Sequence, residues 1–339
     1  DTREVTAVRA GAHVTEHRLV SSQIAVLPGT SGDVVRAVQN LPGIARPPLN
    51  IGQLIIRGTP PESSRFMLDG GRIPTVFHFS GLTTVLSAES VSEVRYMPGN
   101  YGVRYGRALG GLVDLRTDGE IPKESRSVAS IDVYQAQAFT LQRLNPRTAV
   151  SVAARRSYVD ALLSPLLSNS DRTVRAPRYY DGQIRLLRET SSGGRLDAMV
   201  LGSVDRFRVV GNDAAETPEV AIGLATSFAR MRLRWEHPLA DDRISETTLT
   251  AGPDAQVFEQ DGDEGAFERT IGGSLRQEFR QELSADRSTG WRTGLDLECG
   301  HDSFLYDVGS FSPYEEGEAN WCAPAPYADI SVRTGKVTW

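Results

Sequence analysis

The sequence predicts an all-β transmembrane antiparallel barrel, partial at about ten strands, preceded by a small α+β domain. Three observations carry this. From Ser127 onward apolar and charged residues alternate with period 2, the mark of strands with two unlike faces. Tight and long connections take turns along the same region, as periplasmic turns and outer loops do in such barrels. No run of about 18 apolar residues occurs, so no transmembrane helix is expected, and barrel strands give no such run.

Residues 1–20 lack hydrophobic periodicity and are expected as a mobile arm within an N-terminal segment ending at 27. Inside it Glu4, Val5, Thr6, Ala7 and Val8 alternate polar and apolar side chains, an extended segment able to add to another sheet edge. In 28–43, Thr30 or Ser31 is placed to cap a short helix, with Asp33 in its first turn. Val34, Val35, Val38 and Leu41 share its apolar face, and Pro42-Gly43 stops it. Gln53 to Arg57 and Phe66-Met67-Leu68 read as strands, the second closed by the turn Asp69-Gly70-Gly71. An apolar-aromatic loop follows over 72–80, then a small-residue helix and a strand closed by Pro98-Gly99-Asn100-Tyr101. Gly99, Gly102, Gly106, Gly110 and Gly111 permit positive φ or close backbone approach. They are no dinucleotide fingerprint, because GRALGG lacks G-x-G-x-x-G and no helix follows. Arg104, Arg107, Asp114 and Arg116 are expected to pair with groups on the barrel's inner wall, and the polar segment 118–126 is a linker.

Beyond the linker the clearest strand is 195–205, with Leu196, Ala198, Val200, Gly202 and Val204 opposite Arg195, Asp197, Ser203 and Asp205. Segments 228–236, 270–283 and 291–299 repeat the pattern. Alternation alone fits a soluble sandwich or a barrel. The connections decide: those near Asn145-Pro146, 191–194, 240–242 and 286–288 are tight, and those at 162–178, 211–223, 261–268 and 309–321 are long. Trp235 and Trp291 lie beside tight turns, where an aromatic girdle is expected.

Arg57-Gly58, Leu68-Asp69-Gly70, Ile73-Pro74, Val94, Pro98-Gly99 and Tyr105-Gly106 through Gly110-Gly111 together resemble the plug domain of TonB-dependent outer-membrane receptors. Over residues 14–106 the likeness is greatest to receptors of myxobacteria and related groups. The resemblance implies an arm at 1–27, a plug at 28–117, a linker at 118–126 and the N-terminal portion of the barrel at 127–339. It makes residues 4–8 a TonB box, offered to a TonB-type periplasmic energy-coupling protein. It implies an importer in the outer-membrane lipid of a Gram-negative bacterium, taking an unidentified siderophore, cobalamin, glycan or peptide. A surface receptor that binds or signals without transporting is the alternative. It also turns the 72–80 loop toward the outer cavity, making Arg72, Phe77, His78 and Phe79 ligand candidates. The rival reading has Phe77 and Phe79 pack the plug against the wall. Tyr306, Tyr314 and Trp321, in an acidic aromatic segment after Cys299, are the outer-loop candidates. Enclosing a folded plug takes about 22 strands, so the chain is expected to be part of a longer receptor.

Other chemistry is not indicated. There is no G-x-S-x-G, H-E-x-x-H, P-loop or C-x-x-C, so no enzyme activity and no cofactor are expected. The histidines at 13, 17, 78, 237 and 301 are scattered, His78 lacks a second ligand within the usual metal spacings, and the acidic run 261–265 fails the EF-hand pattern because Gly272 stands where Glu is needed. A net charge of -6 gives no basic face for nucleic acid. Of 37 basic residues only Lys123 and Lys336 are lysine. Cys299 and Cys322 permit a disulfide in an oxidising compartment, and two free thiols are the equal alternative.

Overall fold

A computed structural model describes residues 16–30, 32–45, 54–78, 83–133, 135–158, 161, 172–211, 220–239, 242–260, 263–283, 289–307, 314–334 and 337–338. The expected TonB box, Ser31 and Phe79 lie outside the described residues.

The N-terminal domain is built on a five-stranded sheet of order β1-β6-β7-β4-β5. Its strands are β1 (His17–Val20), β4 (Arg65–Leu68), β5 (Gly71–Ile73), β6 (Val91–Met97) and β7 (Leu112–Thr117). A separate short ladder joins β2 (Ile44–Ala45) to β3 (Ile55–Ile56), and the helices are α1 (Ser21–Ile24) and α2 (Val34–Gln39). Because β1 pairs antiparallel with β6, the segment expected as an arm up to residue 27 supplies a strand and a helix to this domain. Val34, Ala37 and Val38 of α2 bury into a core with Ile56, Leu86, Val94, Tyr96 and Leu115. Asp33, and not Thr30, caps that helix. Its carboxylate accepts the Arg36 N–H at 3.0 Å and, through its other oxygen, the Thr84 N–H at 2.8 Å. Thr30 instead donates its hydroxyl to the carbonyls of Ile24 and Leu27. The helix expected before β6 is only a 3-10 turn, Ala88–Ser90, since Val85 and Leu86 are already committed to the core.

The β4–β5 turn is Asp69-Gly70, with φ of 48° and 85°, the pair of left-handed residues that a two-residue hairpin demands. Asp69 is held there by the Thr117 N–H at 2.9 Å and hydroxyl at 2.7 Å. None of the glycines at 99, 102, 106, 110 and 111 takes positive φ; their use is close approach. A Cβ on Gly111 would stand 2.6 Å from Ile56. Gly111→Ala is therefore expected to destabilise the domain by about 1–3 kcal/mol through overpacking. Chemical unfolding, followed by tryptic cleavage at the arginines between Arg57 and Arg116, measures it, and an unchanged midpoint would refute the packing argument.

The second sheet has eleven strands in strict sequence order. They are β8 (Arg126–Ile131), β9 (Gln135–Asn145), β10 (Thr148–Ser157), β11 (Arg172–Glu189), β12 (Arg195–Gly211), β13 (Val220–Pro238), β14 (Arg243–Gln260), β15 (Asp263–Glu282), β16 (Thr289–Tyr306), β17 (Glu315–Thr334) and the short β18 (Val337–Thr338). The segment 261–268, expected as a long connection, is mostly strand: β14 and β15 are joined across 261–262 alone. Residues 300–306 and 315–322 are likewise ladder, so that connection shrinks to 307–314.

Polarity is inverted relative to a soluble sandwich. Asp181, Asp197, Asp205, Glu246, Glu278, Asp296 and Glu298 are buried on the inner face. Ile184, Val200, Met231, Leu233, Leu249, Ile271 and Leu275 are exposed on the outer one. On the inner face Met199, Leu201 and Phe228 join the core of the N-terminal domain and fasten it to the wall. Cys299 and Cys322 face each other across β16 and β17 on the outer side and form a disulfide.

Candidate functional site

Two features meet where the N-terminal domain touches the inner wall: an ionic seam and a cavity above it. In the seam the small domain contributes mainly cations and the wall contributes mainly carboxylates. Arg65, at the start of β4, places Nη2 2.6 and 2.9 Å from the two oxygens of Glu298, and its Nη1 donates to the Gly106 carbonyl. Arg107, held at φ 58° in the glycine-rich loop, reaches Asp296 at 3.1 Å and Glu298 at 3.2 Å. Arg104 lies 3.2 Å from Glu246 and 3.6 Å from Glu278. The polarity reverses where Asp69 meets Arg232 at 3.2 Å and where Glu89 meets Arg126 at 3.0 Å. Burial pulls the Arg65 pKa below its ordinary value despite Glu298. For Arg104 burial also lowers it, but Tyr105, Glu278 and Glu246 outweigh that and the net direction is up. Asp114 and Arg116, expected to reach the wall, pair with each other at 2.7 Å, because β7 is central in its own sheet and their neighbour is Tyr105.

His78, also in the seam, has no exposed surface. Its Nε2 lies 2.8 Å from Asp181 Oδ2 on β11, and its Nδ1 lies 2.8 Å from Asp205 Oδ1 on β12. Ionised carboxylates only accept, so both ring nitrogens donate and the ring is an imidazolium. Tyr179 stacks on it at 3.8 Å. Arg155 on β10 shares Asp181 at 2.8 Å and holds the Thr83 hydroxyl at 2.9 Å. Burial lowers the His78 pKa and so does Arg155, but the bonds to Asp181 and Asp205 prevail and the net direction is up.

The cavity encloses about 720 Å³ between the tip of the small domain and the wall beneath the longer connections. Arg72 is exposed at its floor, on β5 and not in a loop. Phe77 borders the cavity with a ring buried in the core, and His78 lies behind it in the ionic seam, so neither offers a free surface to a solute. Trp321 lines the opposite side from β17, its indole N–H donated to Asp302 at 2.7 Å. Tyr306 and Tyr314 are exposed and do not line the cavity. The seam carboxylates Asp181, Asp205, Glu246 and Glu298 were not identified as partners from sequence. The usable signal was their inward parity on each strand.

A polar inner wall, an apolar outer wall and a small α+β domain fastened to the inner one define part of a plugged β-barrel of the outer-membrane type. Residues 20–112 match the family model of the TonB-dependent receptor plug domain. No curated protein matches the sequence. Among solved structures, the alcaligin outer membrane receptor of Bordetella pertussis is similar at TM-score 0.66 and 13% identity, over 96% of this chain and 61% of that one. The ferric enterobactin receptor of Pseudomonas aeruginosa is similar at TM-score 0.61 and 14% identity, over 94% and 55%. The RagAB peptide importer is similar at TM-score 0.64 and 9% identity, over 96% and 54%. At these identities the likeness is one of fold, and the chain spans between 54% and 61% of the length of these three.

Proposed function

We propose that the chain is the plug and adjoining barrel wall of a TonB-dependent importer in the outer membrane of a Gram-negative bacterium. A solute from outside enters the cavity over Arg72 and Trp321. A pull on the N-terminal arm, delivered by a TonB-type periplasmic partner at residues 4–8, then remodels the plug and opens a path. No chemical step is assigned to the chain. The myxobacterial affinity of residues 14–106 belongs to this reading and rests on the sequence resemblance. The cargoes named for the similar structures are alcaligin, ferric enterobactin and peptide, so the reading extends to no single cargo.

The observation that carries the reading is the seam. It is largely ionic and hydrogen-bonded, so water can take over its bonds as the plug shifts, whereas a dry apolar contact has no such replacement. Fractionation of the full-length gene product tests it, with heat-modifiable migration in SDS as the readout. Outer-membrane recovery with a compact unheated form is expected. An aqueous product without that form would sink the importer. Deleting Glu4–Val8 is expected to abolish uptake while leaving surface binding intact, and uptake that survives the deletion would favour a non-transporting receptor.

A further inference from the structure

The register of β10 to β14 arranges the outer face in rows. Val150, Leu186, Ala198, Leu233, Leu249 and Leu275 form one, and Val152, Ile184, Val200 and Met231 form the next. Two rows higher, Arg156, Tyr180 and Val204 stand side by side. Above them Arg178 is the direct cross-strand partner of Arg206, and Arg208 occupies the row beyond. Between Leu196 and Arg206 the strand runs about 34 Å along its axis, which a tilt of about 35–45° turns into roughly 24–28 Å of height, against an apolar band about 25 Å tall in such barrels. The four arginines therefore sit at the upper border of the band, with Tyr180 at the same level and the Arg156 guanidinium 5.4 Å over its ring.

Like charges directly opposite on an antiparallel pair repel. Among the described residues none of the four arginines makes an ion pair. Asp181 and Asp205, beside them in sequence, point to the inner face and are taken by His78. Among the described residues of β12 to β14 the carboxylate on the outer face at this height is Glu259, in the row of Arg208 and separated from it by Gly223. It leans over Gly223 on the side of Arg208 without an ion pair to it, and it lies away from Arg178 and Arg206.

We infer that Arg156, Arg178, Arg206 and Arg208 form a docking surface for the phosphate-bearing headgroup of a lipid in the adjoining outer leaflet. The inference rests on the importer reading, which turns the longer connections outward. Each guanidinium offers a planar fork to phosphate oxygens while the apolar rows below receive the acyl chains. The occupant is a lipid and not a soluble anion, because the patch is continuous with that band.

The test uses the full-length protein in neutral detergent, with native mass spectrometry of added diphosphoryl lipid A, its dephosphorylated form and inorganic phosphate. Diphosphoryl lipid A is expected to be retained best. R178Q/R206Q is expected to weaken it about tenfold or more, while R188Q, on the outer face at the tight-turn end, leaves it unchanged. Equal retention by R178Q/R206Q, equal retention of the dephosphorylated lipid, or displacement of the lipid by millimolar inorganic phosphate would each overturn the inference. Heat-modifiable migration of the same samples separates the two levels. Its presence with unaltered lipid retention overturns this surface alone, and its absence from the unmodified protein overturns the importer reading as well.

Discussion

Replacing His78 with alanine is expected to cut hydrogen-exchange protection over residues 76–78 and 83–86 by about two to four orders of magnitude, the equivalent of roughly 3–5 kcal/mol for breaking a buried ion pair. The substitution leaves Asp205 buried without its cationic partner and leaves Asp181 to Arg155 alone. The same segment keeps a second tether, the Asp33 carboxylate on Thr83 and Thr84, so it should open locally while α2 stays in place. The folded-state pKa of His78 is raised, so its contribution is present in full below the unperturbed value near 6.5. It is lost as pH rises through the raised value. Asp181, Asp205, Arg155 and Tyr179 surround the ring, and the two carboxylates set the sign. Exchange corrected for its intrinsic pH dependence should therefore quicken with rising pH in the native protein and not in His78→Gln. Coincident pH profiles for the two proteins would dismiss the charged latch.

What the sequence made legible was parity. Asp197, Ser203, Asp205, Glu278, Asp296 and Glu298 fall on one face because strand side chains alternate without exception along a regular ladder, and no tertiary knowledge is needed to place them. What it hid was everything set by the partner strand. The acidic glycine-containing run 261–268 has loop composition, yet Phe258 pairs with Ala266, and the ladder supplies the main-chain bonds whatever the side chains are. The same effect carries Trp321 out of a loop and into the cavity wall. His78 was still harder to place. Its partners lie 103 and 127 residues further along, and no local pattern records them. Glycine content misled more subtly: left-handed backbone falls on Arg57, Asn100 and Arg107, while Gly110 and Gly111 are needed for what packs against them. Composition does not separate these two uses.

Truncating Glu298 to alanine is expected to loosen the opposite flank of the plug, because it strands Arg65, of which only 9% is exposed, and takes one of two carboxylates from Arg107. An uncompensated buried guanidinium costs about 3–5 kcal/mol, which would appear as lost exchange protection over 64–68 and 104–111. Removing both partners separates the worth of the pair from the penalty of orphaning one member. R65M/E298L fills the same space with apolar groups, and such replacements are commonly neutral or stabilising, so protection should return to near the native level. Recovery of protection without recovery of uptake is the informative result. It would mean that the seam is ionic because it must open, and that an apolar seam of equal strength holds the plug but resists the pull. If R65M/E298L instead restores both, the charge at this contact serves stability alone, and the opening step must be sought at His78 or at Arg104. If it restores neither, the two residues do not act as a pair, and Arg107 with Asp296 holds this flank.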